Sequence, residues 1–268
     1  MRKVLVTGSS GFLGRHVVTE LLRHDDIQVT EVSHDALLRE SFCDIDTVIH
    51  CAFPRSNDAR VLAETLDFTE RSISNYEKMG VASVINISSQ GVYQRLDADH
   101  LSDENSPIQP MDMYSMVKYA TEKMFSLSSV PSVTNIRLAS LMMPQRFLYF
   151  FVSKVKNGEI FSVTAPNKYA ALLDVNDAAR GLLAVVYLPH HKRATVYNLG
   201  IDSHYSVLEY AESVKAIGQS LGFSADFKVA DDGTNVCAGM DCTRLMNATG
   251  WKPMVSKDDM IKKLFKEI

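Results

Sequence analysis

Cysteine is scarce in this chain. The four present, Cys43, Cys51, Cys237 and Cys242, form no C-x-x-C pair and have no histidines at metal-ligand spacing. That excludes a disulfide-stapled scaffold, leaves no zinc site to expect, and fits reduced thiols in a cytoplasmic enzyme. An excess of positive charge is also missing. Lysine plus arginine is 28 against 32 for aspartate plus glutamate, a formal net charge of −4, so nothing electrostatic favours nucleic acid or an anionic membrane. No apolar run approaches membrane-spanning length, and Val4-Leu5-Val6 ahead of Thr7-Gly8 is too short for a signal-peptide core. The expectation is a soluble protein that stays in the cytoplasm. Internal repeats and low-complexity segments are absent too. What the chain does have is material for a large core: 268 residues, 46% of them hydrophobic.

Glycine is uncommon as well, 13 in all, yet three of them stand at positions 8, 11 and 14. Lys3 to Thr7 reads as a short buried parallel strand, and Leu13, Val17 and Leu21 then recur at helical spacing. The run Thr7-Gly8-Ser9-Ser10-Gly11-Phe12-Leu13-Gly14 therefore fills a strand-to-helix turn, the setting in which such glycines cradle the pyrophosphate of a dinucleotide. Gly8 suits the tight turn, Gly11 lets backbone approach phosphate, and Gly14 lets helix pack on strand. Ser10, Phe12 and Leu13 complete the contact segment.

Further strand-like runs at 28–32, 47–51, 83–88, 133–138 and 195–199 alternate with helical patterns, which predicts an α/β fold with a Rossmann-type doubly wound parallel sheet. Only residues 33–46 separate the second strand from the next, too few for a full helix-strand-helix crossover, so one usual strand is expected to be missing or vestigial. The polar stretch 94–112, with Pro107 and Pro110, reads as a surface loop leading to a helix near Tyr114. Past Pro144 the βα rhythm weakens. Residues 1–144 and about 171–200 are thus assigned to the dinucleotide-binding domain, and about 145–170 with 201–268 to a small, partly interleaved substrate lobe.

Tyr114 and Lys118 lie four residues apart, on one helix face and one turn from each other. A phenol near pKa 10 is a poor acid-base catalyst at neutral pH; a neighbouring ammonium, with a positive nicotinamide ring, favours its phenolate. Ser88 and Ser89 follow the strand Val84-Ile85-Asn86-Ile87, so their hydroxyls emerge at a carboxyl end, where ligands of open α/β sheets sit.

With these residues in place the chain resembles the extended short-chain dehydrogenase/reductase family, the NAD-dependent epimerase/dehydratase group acting on nucleotide sugars. The resemblance is carried by Thr7 to Gly14, Val48-Ile49-His50-Cys51-Ala52, Ser88-Ser89 with Val92-Tyr93, and Glu104, Pro107, Pro110, Tyr114, Lys118 and Glu122. It continues in Arg137-Leu138, Pro144, Asp174 to Asp177, Tyr197 to Gly200 and Gly250 to Pro253. It implies Ser89 as the catalytic serine, Tyr114 as acid-base catalyst and Lys118 as its partner, which also holds the nicotinamide ribose. Cys51, Ala52, Ser88 and Leu138 join the cofactor contacts. By the same resemblance, relatives pair through the helices about 62–79 and 114–128, so a homodimer is expected.

Several positions depart from the family pattern. Dehydratases carry an Asp-Glu pair where this chain has Gln90 and Gly91, neither of which titrates, so dehydration is disfavoured. Epimerase-reductases resembling GDP-fucose synthase place a cysteine at Gly91, so base-catalysed inversion is disfavoured too. NAD-specific relatives end the second strand with an acidic residue; Ser33 and His34 stand there, which leans towards NADP over NAD, with Arg15 or Arg39 near the 2′-phosphate. Asp35 or Glu31 remains an alternative ribose contact, and Asp35 an adenine contact. Thr65 and Ser140 replace family asparagines. Candidates on the sugar side are Ser89, Tyr114, Ser140, Arg146, Lys168 and Arg244, while His190-His191 beside Pro189 reads as an exposed pair. The expected activity is NAD(P)-dependent hydride transfer to or from a sugar carbon of a nucleotide-sugar, in the manner of a ketoreductase. The alternatives are a 4-epimerase with tightly held NAD and a non-catalytic dinucleotide sensor.

Overall fold

The computed structural model describes residues 1–39, 42–95, 100–144, 146–201 and 204–268, with residues 34, 35 and 39 described by backbone alone. Apolar side chains of the strands divide between two faces, as a sheet covered on both sides requires. Val4 and Val6 of β1 (Arg2–Thr7) join one core and Leu5 the other. Ile49 and Val48 of β3 (Thr47–His50) divide in the same way, as do Ile85 and Val84 of β4 (Ser83–Ser89). With β2 (Ile27–Val32), β5 (Ser132–Leu138) and the edge strand Val196–Leu199 they build a six-stranded parallel sheet. Its order is Val196–Leu199, β5, β4, β3, β1, β2. This is the doubly wound Rossmann-type α/β architecture.

The chain steps outward from β1 to β2 and then returns to lay β3 on the other flank of β1, so the strand order reverses between β1 and β3. Among the described residues only α2 (His34–Arg39) occupies the link between β2 and β3, and no strand pairs outside β2. The reversal fixes where a ligand sits: in the crevice at the carboxyl ends of β1 and β3.

α1 (Phe12–Leu21) and α6 (Val175–Tyr187) cover one face of the sheet through Val17, Leu21, Leu182 and Val186. α3 (Ala59–Met79) and α4 (Met113–Ser126) cover the other through Phe68, Ile73, Tyr76 and Phe125. The Asp58 carboxylate accepts from the amides of Arg60 and Val61 to start α3, and Gly80, at φ +64°, ends it.

Beyond Pro144 the chain is more regular than its sequence rhythm suggests. α5 (Phe147–Lys156), α7 (Val207–Ser220) and α9 (Lys257–Glu267) enclose a separate apolar cluster. Phe151 stacks on Phe161 at 4.4 Å, and Phe161 on Phe227 at 5.4 Å. Each of α7 and α9 opens on a serine cap, Ser206 with a full capping box to Glu209 and Ser256 accepting from the Asp259 amide. The segment 240–251, counted with the lobe on sequence, contributes Met240, Cys242, Trp251 and Leu245 of α8 (Thr243–Thr249) to the core under the sheet. Among the described residues no helix is long and apolar enough to cross a membrane.

Candidate active site

A cavity of about 570 Å³ opens over the carboxyl ends of β1, β3, β4 and β5. Its floor is the glycine turn. Gly8 sits at φ +64°, and a Cβ there would stand 2.8 Å from the Ala52 nitrogen, so the segments after β1 and β3 touch backbone to backbone. A Cβ on Gly14 would lie 2.0 Å from the Gly8 carbonyl oxygen, which only glycine avoids. α1 starts at Gly11 with no side-chain cap and no acidic residue in its first turn. Its amides and the positive end of its dipole therefore stay available to an anion. Gly8, Gly11, Phe12, Leu13 and Gly14 line the cavity, as do Cys51 and Leu138. Ser10 is exposed and outside the lining, and Ala52 packs against Gly8 instead of facing the space.

Strand alternation decides between the two serines at the end of β4. The Ser88 hydroxyl points into the protein and donates to the Glu122 carboxylate at 2.5 Å, while Glu122 takes two further hydrogen bonds from Arg137, at 3.1 and 2.9 Å. Ser89 points the other way: its Oγ accepts from the Gly91 amide at 3.1 Å, and it lines the cavity with Tyr114, whose pKa it helps to lower.

α4 brings the phenol and the ammonium to that serine. Asp112 caps the helix by accepting from the Ser115 amide at 2.7 Å, and the Tyr114 amide donates to Asn57 at 3.0 Å. The Tyr114 ring meets Phe53 edge to face, with centroids 5.5 Å apart. Lys118 is 4% exposed; its Nζ donates to the Ile87 carbonyl at 2.7 Å and lies 3.6 Å from the Phe53 ring centroid and 5.9 Å from that of Tyr114.

The electrostatics differ from the lysine-driven phenolate expected on sequence. Burial raises the Tyr114 pKa, and the cations opposing the rise are Arg55 and then Arg146. Lys118 is itself pulled down to about 7 by burial, a fall opposed by the neighbouring Cys51 and by the Glu122 carboxylate. Burial likewise pushes the Cys51 thiol up to about 12. With its ammonium turned to the Ile87 carbonyl and the Phe53 face, Lys118 is placed to hold a ligand at the crevice as much as to polarise the phenol.

Other expected contacts fall unevenly. Ser140 and Arg146 line the cavity, and Ser140 accepts from Gln90 Nε2 at 3.0 Å, leaving Gln90 Oε1 buried without a partner. Lys168 is outside the lining, half-buried, and its pKa is lowered by burial and by Arg95 and Arg146. Arg244 does not belong to the site: it is ion-paired at 3.3 Å with Glu104, whose other oxygen accepts from the Asn198 amide at 2.9 Å. Ser33 is exposed, and its hydroxyl accepts from the Ala36 amide at the start of α2. The side chains of His34, Asp35 and Arg39 lie outside the described residues. Sequence reasoning missed Phe53, Arg55, Asn57 and Arg95, all of which line the cavity. The first three follow β3 directly, and position at a strand's carboxyl end was the available signal.

Residues 4–200 match the NAD dependent epimerase/dehydratase family. The chain belongs to that family. It is an enzyme of the extended short-chain dehydrogenase/reductase type, and the uncapped α1 terminus over the glycine turn fits the NAD(H) that this family binds. Two solved structures align along nearly the whole chain. One is the UDP-N-acetylglucosamine 4-epimerase from Bacillus cereus, 17% identical, covering 100% of this chain and 99% of that one with a TM-score of 0.82. The other is RMD from Pseudomonas aeruginosa complexed with NADPH, 22% identical, covering 100% and 98% with a TM-score of 0.83. At such identities they establish a shared fold. The sterol-4-alpha-carboxylate 3-dehydrogenase, decarboxylating, of Dictyostelium discoideum is 23% identical over 219 residues, 68% of this chain and 66% of that protein.

Proposed function

We propose that the protein moves a hydride between NAD(P) and a sugar carbon of a nucleotide-sugar, acting as a ketoreductase through Ser89, Tyr114 and Lys118. One observation carries this reading: Ser89, Tyr114 and Lys118 line one cavity whose floor is the glycine turn, with the Lys118 amine buried against the Ile87 carbonyl. A carbonyl oxygen between the two hydroxyls accepts a hydrogen bond from Ser89 and the proton of Tyr114. The carbonyl becomes an alcohol, and Tyr114 regains its proton from solvent. Bound on the glycine turn, the dinucleotide supplies the hydride at its C4. Lys118 fixes the ribose and Ile87 anchors Lys118. Gln90 and Gly91 supply no acid or base, so elimination of water has no agent here.

The absence of a carboxylate at Ser33 favours NADP over NAD. The scarcity of cysteine in the sequence, with no C-x-x-C pair, supports a cytoplasmic setting. A homodimer through α3 and α4 completes the reading, with Met113, Met116 and Leu127 exposed along α4 and its end. The 4-epimerase reading is favoured by the B. cereus 4-epimerase of the same fold. Cofactor exchange separates the two. A reductase releases its oxidised dinucleotide each cycle, so turnover of a 4-keto nucleotide-sugar should consume NADPH stoichiometrically. Catalysis by protein carrying retained NAD, with no net consumption, would establish the epimerase instead.

A further inference from the structure

Cations outnumber anions in the cavity lining: Arg55, Arg95 and Arg146 stand against one carboxylate, Asp112, which is engaged in capping α4. Arg55, from the segment after β3, and Arg146, at the start of α5, both line the space, and among the described residues neither has a salt-bridge partner. The buried Arg137, by contrast, is paired with Glu122, and the part-buried Arg193 donates to Ser83 and to the Leu188 and Val186 carbonyls. Arg146 Nε is buried with no hydrogen-bond partner at all. Its pKa falls to about 10 through burial and through the charge of Arg55, so the two guanidiniums repel each other across the site. Both also lower the pKa of the Tyr114 phenol, and both share the cavity lining with it. Two guanidiniums in one lining, Arg146 half-buried with its Nε unpartnered and Arg55 exposed at the mouth, form a site that suits an anion with planar, forked acceptors.

We propose that Arg55 and Arg146 grip a carboxylate carried by the reacting sugar, so that the substrate is an acidic, uronate-type sugar and not a neutral one. This rests on the nucleotide-sugar reading above. The diphosphate is the other anion of such a substrate, but it is attached across the ring from the carbon that Tyr114 serves. A carboxylate on the neighbouring ring carbon lies next to that carbon. Arg95, also in the lining, and Lys168, which feels Arg95 and Arg146, remain for the diphosphate. The clamp joins the segment after β3 to the first turn of α5, so an acidic sugar would tie the sheet to the lobe.

The test is calorimetric titration of the protein, loaded with NADP and in parallel with NAD, with UDP-glucuronate, UDP-glucose and UDP. UDP-glucuronate is expected to bind at least about tenfold more tightly than UDP-glucose, the effect of one charge-assisted hydrogen bond or more. Arg55→Gln and Arg146→Gln should each bring that ratio below about threefold while UDP binds as in the parent. Equal affinity of the parent for the two sugars would overturn the clamp, whether or not the variants fold. So would an Arg55→Gln loss as large for UDP as for UDP-glucuronate, which would assign Arg55 to the diphosphate. If NADP or NAD binds but none of the three nucleotide ligands does, the nucleotide-sugar reading fails separately. Saturation-transfer NMR with free glucuronate and glucose then decides the clamp: preference for the acid upholds it and no preference overturns it.

Discussion

Replacing Glu122 with alanine should cost about 3–5 kcal/mol of stability, the range for removing one partner of a buried ion pair. Its carboxylate is 3% exposed and accepts three hydrogen bonds, from the Ser88 hydroxyl at 2.5 Å and from Arg137 at 3.1 and 2.9 Å. Without it the Arg137 guanidinium, 5% exposed, keeps a 3.3 Å hydrogen bond to the Glu104 carbonyl and the face of the Tyr93 ring at 4.8 Å. Neither supplies a counter-charge. The penalty is therefore mostly that of a stranded cation, and it should vanish when the cation leaves as well. Glu122→Leu combined with Arg137→Met is expected within about 2 kcal/mol of the parent, on either side, because apolar replacement of a buried pair is often neutral or stabilising. At roughly 2–4 °C per kcal/mol for a chain of this size, Glu122→Ala should melt about 6–20 °C below the parent. Calorimetric melts of the parent, both single variants and the double variant supply the cycle. A loss below about 1 kcal/mol for Glu122→Ala, or a double variant no better than the sum of the singles, would refute the stranded-charge reasoning.

Gly14→Ala should abolish dinucleotide binding in a titration and lower the melting temperature, because its Cβ has only 2.0 Å to the Gly8 oxygen; a variant that binds NAD normally would contradict the turn geometry. Lys118 gives a pH signature. Its folded pKa of about 7 lies below the unfolded value of about 10.4, so the unfolded chain holds the extra proton between these limits and stability rises with pH across that window. Lys118→Met removes this contribution: its advantage over the parent in thermal melts should be fullest below pH 7 and shrink towards pH 10. Parallel stability curves would contradict it. Titration of the purified protein with NADPH and NADH should favour NADPH, since Ser33 offers no carboxylate at the end of β2; a strong NADH preference would reverse that assignment.

The sheet was legible because buried parallel strands are dense apolar runs, and every predicted strand lies within two residues of its observed bounds. The shortened link from β2 to β3 was legible by length alone. α5, α7 and α9 were not: α5 mixes aromatic residues on both faces, and the serine caps of α7 and α9 went unread although Ser206-Val207-Leu208-Glu209 carries a capping box. The choice of Ser89 over Ser88 followed from spacing to Tyr93, and strand alternation gives its physical reason. Charge was the least legible feature. Arg244 looked unattached in the sequence, but its partner Glu104 lies far along the chain. Arg55 and Arg95 belong to no motif in the sequence, and only the closing of four strand ends around one space brings them into the cavity lining.

In the proposed reaction the Tyr114 hydroxyl, which shares the cavity with Ser89 and Lys118, transfers the proton that accompanies hydride movement. The most direct test of this role is the single-turnover reduction of a 4-keto nucleotide-sugar by NADPH, followed by nicotinamide absorbance in the parent and in Tyr114→Phe. The variant should bind the dinucleotide as the parent does and react about 10²–10⁴-fold more slowly, the contribution of a positioned general acid. Reduction at the parent rate would contradict the account.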